Sequence, residues 1–109
     1  ILLYNIYIMK INFRVINLEL TPEVRGVIEE KIGSLSKFIS RINMPVEAFV
    51  EVSQETQHHK KGKVYYVEVN LELPGKILRV EAKEENIYKA VNVVKDELKI
   101  LLKKYKEKK

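Results

Sequence analysis

Lysine is the residue type in this chain whose spacing points most directly to a binding chemistry. The last twelve residues, 98–109, contain six lysines and one acidic residue, Glu107. Residues 1–97 contain fourteen basic and fourteen acidic residues, so the formal charge of +5 arises entirely at the C-terminal end. A field polarised in this way attracts polyanions to one edge of a molecule, and RNA is the commonest intracellular candidate. A solvated lysine tail that only promotes solubility explains the charge equally well.

The lysines near the C-terminus share one face if that segment is helical. At about 100° per residue, four of them fall in a narrow sector beside an apolar stripe, while Asp96 and Glu97 lie outside the sector. A lysine row beside a buried stripe lies at the rim of a domain, where basic residues of other elements can join it. Two interpretations of the row are open. In one, the ammonium groups contact phosphate; in the other, the lysine side chains only cover apolar surface at the rim while their ammonium groups stay in water. The row consists of Lys95, Lys99, Lys103 and Lys106.

Two further basic pairs are candidates for phosphate contact. Lys60 and Lys61 lie in the polar loop 54–62, QETQHHKKG, and Lys37 and Arg41 lie near the end of the first predicted helix. A solvated loop explains the first pair equally well, and stabilisation of a helix C-terminus explains the second. The adjacent histidines of the loop have no third ligand at a metal-binding spacing, so we expect no metal site.

The residue types that catalysis requires are scarce. The chain has no cysteine, two histidines and four glycines, and the glycines are isolated from one another. A thiolate nucleophile, a disulfide framework and a glycine-rich phosphate loop are therefore excluded. No apolar run approaches the length of a membrane span. We expect a cytoplasmic protein with no catalytic residues, no cofactor, no small-molecule substrate and no membrane partner.

Apolar periodicity predicts six elements in the order β-α-β-β-β-α. Thr21 and Pro22 mark the start of the first helix, and Pro74 with Gly75 marks a tight turn. The first two strands, joined by a helix, predict a parallel crossover, and the others an antiparallel meander. The fold class is therefore α+β, a four-stranded mixed sheet with two helices packed on one face. The predicted ranges are strands 10–16, 46–53, 63–73 and 76–83, and helices from 21 to about 40 and from 84–86 onward.

The outward face of the predicted sheet is unsuited to stacking RNA bases. Sheets that stack bases present aromatic side chains on a neutral or basic platform. Here Phe49 and Tyr66 are the only outward aromatic residues, and the middle strands are acidic. We therefore expect RNA on the helical side and cross-strand ion pairs on the outer face. The outward glutamates are Glu47, Glu51, Glu68, Glu72 and Glu81, and the cations among them are Arg14, Arg79 and Lys83.

The first eight residues, ILLYNIYI, are apolar and lack the basic start and the cleavage site of a signal peptide. Met9 follows them and opens the first strand pattern. We interpret residues 1–8 as an N-terminal extension, with Met9 as the natural start, and residues 9–109 as a single domain. In an alternative interpretation, the apolar segment or a sheet edge recruits a strand of a partner protein.

Two motifs resemble those of a known family. Residues 86–92, NIYKAVN, are similar to the D-M-Y-A-A-I-D signature at the start of the last helix in the ribosome hibernation promoting factor and ribosome-associated inhibitor family. Lys37-Phe38 and Arg41-Ile42 match the family where its first helix closes. With the element order and lengths, the resemblance covers about residues 9–109.

The resemblance implies a fold and a function. Family members are similar in shape to double-stranded-RNA-binding domains. They bind the small ribosomal subunit and its rRNA between head and body, and block the mRNA path and the tRNA decoding sites in starvation or stationary phase. They are not enzymes. This sequence shows neither the C-terminal dimerisation domain of long members nor the acidic tail of the inhibitor subtype, so it resembles a short form. The resemblance implies that short members favour ribosome dimers with the help of a separate ribosome-dimerising factor. A free-standing structured-RNA-binding module is the alternative.

The family's RNA contacts come largely from lysines and arginines of the two helices. Asn86 and Asn92 stand where the family usually has Asp, which removes negative charge near the lysine row and favours phosphate binding. The resemblance maps the RNA contacts to Lys37, Arg41, Lys89, Lys95, Lys99, Lys103 and Lys106.

Overall fold

Strands and helices follow one another in the predicted order, β-α-β-β-β-α, with a short 3₁₀ helix after the first α-helix. The computed structural model describes residues 9–39, 46–56 and 62–107. The elements are β1 (Met9–Ile16), α1 (Pro22–Gly33), the 3₁₀ helix (Ser34–Phe38), β2 (Val46–Thr56), β3 (Lys63–Leu73), β4 (Lys76–Glu84) and α2 (Ile87–Glu107).

The four strands form one mixed sheet in the order β1-β2-β3-β4. β1 runs parallel to β2, with Phe13 beside Val50, and β2, β3 and β4 form an antiparallel meander. Val50, Val69 and Val80 form one row across the meander. Because the register of a strand decides which face each side chain takes, this row defines the apolar face. The predicted α+β class and mixed sheet are confirmed.

Both helices cover that apolar face, as predicted. Ile28 and Ile32 of α1 are fully buried, together with Val94 and Leu98 of α2. The buried residues of α2 recur at spacings of three and four, which is the helical period of an amphipathic face. In the described part of the chain, no helix combines the length and the apolar character needed to cross a membrane. The buried stripe of α2 is Ile87, Ala90, Val91, Val94, Leu98 and Leu102.

Both helices begin at a polar side chain that caps free backbone amides. The hydroxyl of Thr21 accepts a hydrogen bond from the backbone N–H of Val24 at 3.2 Å. The side-chain oxygen of Asn86 accepts hydrogen bonds from the N–H groups of Tyr88 (2.8 Å) and Lys89 (3.3 Å). The first turn of a helix has no internal partners for these N–H groups, so each cap stabilises its helix by about 1 kcal/mol.

The prediction that the first helix continues to about residue 40 was wrong. The α-helix ends at Gly33 and the chain continues as a 3₁₀ helix. The hydroxyl of Ser34 donates a 2.7 Å hydrogen bond to the carbonyl oxygen of Lys31. A local bond of this kind competes with regular helical hydrogen bonding, and its effect does not appear in the spacing of apolar residues.

The second strand is longer than predicted. β2 extends to Thr56, which pairs with Lys63 at the start of β3, so the antiparallel ladder takes up the first residues of the predicted loop. Val15 belongs to β1, which lies at the edge of the sheet, and it is 36% exposed. The predicted N-terminal extension, residues 1–8, lies outside the described residues.

Candidate nucleic-acid interface

Three lysine side chains converge on the ring of Phe38. Their Nζ atoms lie 5.4 Å (Lys37), 5.8 Å (Lys99) and 6.0 Å (Lys103) from the ring centroid. At these distances an ammonium group is attracted by the electrons of an aromatic ring. Lys37 belongs to the 3₁₀ helix and the other two lysines to α2. We refer to these four residues as the lysine cluster.

The geometry of the two helical segments explains the convergence. Lys99 and Lys103 are four residues apart on α2, so they lie on the same side of the helix. They flank a stripe whose members Leu98 and Leu102 are fully buried. Phe38 ends the 3₁₀ helix and is partly buried against the same core. The core therefore holds the ring at the side of α2 that carries the lysines.

The three ammonium groups of the lysine cluster have no carboxylate partner in the described part of the chain. No carboxylate oxygen of residues 9–39, 46–56 or 62–107 lies within 4.0 Å of these three Nζ atoms. Like charges that lie close together repel one another. An anionic ligand such as a phosphate group would relieve that repulsion, so the cluster is suited to bind one.

The other lysines of the two helices have different environments. Nζ of Lys95 lies 3.4 Å from the carboxylate of Asp96, and Nζ of Lys89 lies 3.6 Å from that of Glu84. Both pairs include a side chain that is about two-thirds exposed, so they hold their lysines only weakly. Lys106 is exposed in the last turn of α2. The structure leaves these three lysines outside the lysine cluster.

Three of the predicted contact residues, Arg41, Lys60 and Lys61, lie outside the described residues, and so do both histidines. Within the described ranges, no group of three or more histidine, aspartate or glutamate side chains is placed to hold a metal ion.

On the outer face of the sheet, Arg14, Arg79 and Lys83 are paired with glutamates, as predicted, and the pairs of Arg14 with Glu51 and of Arg79 with Glu68 join neighbouring strands. The best-formed pair joins Arg79 to Glu68, with Nε of the arginine donating a 2.8 Å hydrogen bond. These cations are engaged within the protein, in contrast to the lysine cluster. The pairs are Arg14 with Glu51 (3.9 Å), Lys83 with Glu55 (3.5 Å), and Arg79 with Glu68 and Glu81.

Glu68 is the centre of a polar network on this face. Partial burial acts to raise the pKa of Glu68, but hydrogen bonds from Tyr66, Arg79 and Asn70 outweigh burial and hold the pKa below its ordinary range. Burial and the carboxylates of Glu81 and Glu68 raise the pKa of the Tyr66 hydroxyl. Phe49 and Tyr66 are the aromatic residues predicted on the outer face. The hydroxyl of Tyr66 is held by carboxylates, and these carboxylates repel a nucleic acid.

Phe38 is the part of the site that the sequence analysis missed. The motif match included Phe38 beside Lys37, but only Lys37 was predicted to contact RNA. The available signal was a lysine next to an aromatic residue at the end of a helix. The sequence does not reveal that the ring faces Lys99 and Lys103, because this depends on how the 3₁₀ helix packs against α2.

Comparisons with known proteins agree with the fold. The family model described as "Sigma 54 modulation protein / S30EA ribosomal protein" matches residues 11–109. Proteins named ribosome hibernation promotion factor are 32% identical over 98 residues in Lactococcus lactis subsp. cremoris and 31% identical over 100 residues in Bacillus subtilis. These alignments cover 90% and 92% of this chain but 50% of each relative. The chain thus spans about half the length of these curated relatives.

Two solved structures share the fold. The N-terminal domain of Protein Y from Thermus thermophilus has a TM-score of 0.69 at 26% identity, covering 86% of this chain and 98% of that domain. A ribosomal subunit interface protein from Coxiella burnetii has a TM-score of 0.65 at 21% identity, covering 89% of this chain and 97% of that protein. Because the family model spans nearly the whole sequence, the chain belongs to the Sigma 54 modulation protein / S30EA ribosomal protein family, which includes the ribosome hibernation promotion factors.

Proposed function

We propose that this domain is a ribosome hibernation factor. It binds rRNA of the small ribosomal subunit in the mRNA/tRNA channel and inhibits translation under stress or in stationary phase. Family membership and the names of the relatives support a role at the ribosome. Ribosome association in turn implies a cytoplasmic location. The separate ribosome-dimerising factor implied for short members stays a prediction.

The observation that carries the proposal is the lysine cluster. Two separate helical segments bring three ammonium groups together around one ring, without a carboxylate partner in the described part of the chain. Lysines bind phosphates as point charges and give orientation and affinity, without reading base sequence. Inhibition then follows from the bulk of the domain, which excludes mRNA and tRNA from the space that it occupies.

The proposed contact surface has a centre and a margin. Lys37, Lys99 and Lys103 form the centre, because they already converge and lack acidic partners among the described residues. At the margin, Lys89 and Lys95 have weak ion pairs within the protein, and phosphate contacts can replace those pairs. The marginal residues are Arg41, Lys60, Lys61, Lys89, Lys95 and Lys106.

The test is co-sedimentation of the protein with small ribosomal subunits in sucrose gradients at two salt concentrations, about 50 and 200 mM. We expect stoichiometric binding at low salt and a steep loss at high salt, because counterions return to the RNA. Subunits that already carry mRNA and initiator tRNA should bind less protein, because the channel is occupied. Equal binding to empty and occupied subunits would place the contact elsewhere.

A free-standing structured-RNA-binding module is the second candidate. It is favoured by the same observation, since a cluster that recognises phosphates alone does not distinguish one structured RNA from another. A plain RNA duplex, offered in competition with small subunits at equal phosphate concentration, separates the two. The hibernation function requires a clear preference for the subunit, whereas the module would bind both alike.

A further inference from the structure

We propose that Phe38 is a positioning residue that gathers lysines from two helical segments into one phosphate-binding cluster. This inference rests on the proposed function and adds a role for an aromatic side chain that has no charge of its own. The alternative is that the ring only fills space beside the core. The distances around the ring favour the first role, and the two roles predict different results for variants that keep an apolar side chain at this position.

The ring is well placed to act as a fixed platform. Phe38 is partly buried and packs against the core, so its position is set by the fold. Each of the three Nζ atoms lies between 5.4 and 6.0 Å from the ring centroid. An exposed contact of this kind contributes about 0.5–1 kcal/mol. The three contacts together bias long, flexible side chains toward one point.

The attraction to the ring matters because the three lysine side chains would otherwise move apart. Three ammonium groups without carboxylate partners repel each other, and each long side chain loses conformational entropy when it is fixed. The electron-rich face of the ring offsets part of both costs before any ligand binds. A bound phosphate then meets a preorganised group, and preorganisation raises affinity by reducing the ordering cost of binding.

The same geometry argues that the ring serves cations and not bases. Stacking of a nucleobase needs an accessible ring face. The ring of Phe38 is partly buried and its surroundings are occupied by three ammonium groups. The ligand chemistry of the cluster is therefore a phosphodiester group of the RNA backbone.

Two variants separate positioning from packing. Phe38→Leu keeps an apolar side chain but removes the ring, and Phe38→Tyr keeps the ring. Phe13→Leu is the matched control, because Phe13 is also a partly buried ring with a cation, Arg25, 4.8 Å from its centroid. Phe38→Leu and Phe13→Leu should lose a similar amount of packing. An effect of Phe38→Leu that Phe13→Leu does not show is therefore due to the position of the ring beside the lysines.

The first readout is independent of ribosomes. In proton NMR spectra, the ε-methylene signals of Lys37, Lys99 and Lys103 should show upfield ring-current shifts that persist in Phe38→Tyr and Phe13→Leu and disappear in Phe38→Leu. Titration with inorganic phosphate at low ionic strength should move these signals together in the wild type and not in Phe38→Leu. Absence of ring-current shifts in the wild-type protein would overturn the inference directly.

The second readout is affinity for small ribosomal subunits. Phe38→Leu should bind about five- to tenfold more weakly, which corresponds to about 1–1.4 kcal/mol of lost preorganisation, while Phe38→Tyr and Phe13→Leu bind as the wild type does. Equal affinity of Phe38→Leu and wild type would refute the positioning role. If the wild-type protein fails to bind subunits, the proposed function fails, and the phosphate titration still decides the role of Phe38.

Discussion

The hydroxyl of Tyr105 donates a 3.0 Å hydrogen bond to the carbonyl oxygen of Pro74. This bond joins the last turns of α2 to the turn between β3 and β4. Lys103 and Lys106 lie on either side of Tyr105 in the sequence, so the bond also restricts the end of the helix that carries them. Tyr105 therefore packs against the core and anchors the end of α2 to the sheet.

We expect Tyr105→Phe to lower the free energy of unfolding by about 1 kcal/mol, because the Pro74 carbonyl loses its partner while the ring remains. The melting temperature, followed by circular dichroism, should fall by roughly 4–8 °C. Tyr65→Phe is the matched control. Tyr65 is also partly buried against the core, but its hydroxyl makes no hydrogen bond with any described residue. A control that loses as much stability as Tyr105→Phe would show that the bond to Pro74 is not the cause.

Replacing Lys37, Lys99 and Lys103 together by glutamine should sharply weaken binding to small subunits. Each lost phosphate contact reduces the slope of log affinity against log salt by about 0.7–0.9, so the triple variant should lose roughly 2–3 from the slope. Affinity and slope are measured together by co-sedimentation at several salt concentrations. Thermal stability should be unchanged or slightly higher, because three cations that repel one another are removed.

The control for this triple variant removes three cations from the outer sheet face, Lys10, Arg14 and Lys83, again by glutamine. Both variants lower the net charge by the same amount, so a difference in net charge does not explain a difference in affinity between them. The outer-face variant should keep nearly all of the affinity. Equal losses in the two variants would mean that net charge alone drives binding, and the assignment of the lysine cluster would be wrong.

Asn86 should contribute to stability as the cap of α2. Asn86→Ala removes the acceptor for the N–H groups of Tyr88 and Lys89 and should cost about 0.5–2 kcal/mol in urea denaturation. Asn86→Asp keeps the acceptor and adds a negative charge at the positive end of the helix, which stabilises by about 0.3–1 kcal/mol. Glu85→Ala, an exposed neighbour without a described contact, serves as control. An alanine variant as stable as the wild type would disprove the capping role.

Glu68 should make the stability of the fold depend on acidic pH. Its pKa in the folded protein is lowered, so the unfolded chain takes up a proton at higher pH than the folded protein does. The stabilisation is complete above the ordinary pKa of a glutamate and is lost as pH falls through the lower, folded value. Denaturation midpoints measured from about pH 6 to about pH 2 should therefore fall steeply.

Glu68→Gln should flatten this acid dependence, because the group no longer titrates. Glu72→Gln is the matched control, since Glu72 lies on the same strand and face and is exposed without a described partner. It should keep the wild-type dependence. If Glu68→Gln and wild type lose stability in parallel over this range, other carboxyl groups are responsible.

Several parts of the fold were predictable from local patterns. The limits of β3 match the prediction, because the alternation of Tyr65, Val67 and Val69 with polar residues is strong and Pro74 closes the strand. The cross-strand pairing of Arg79 with Glu68 also follows from alternation, once the two strands are known to be neighbours. The end of α1 was not predictable, because the apolar spacing continues through the 3₁₀ helix while the hydrogen-bond pattern changes.

The sequence by itself determined the order of elements, the apolar face of each strand and the concentration of lysine on the last helix. These are local properties, since they follow from the types of residues a few positions apart. The tertiary structure alone decided which lysines act together. Lys95 has a carboxylate neighbour, whereas Lys99 and Lys103 meet Lys37 from a distant part of the chain across the ring of Phe38. That meeting depends on the packing of two helical segments over one sheet, which no local spacing encodes.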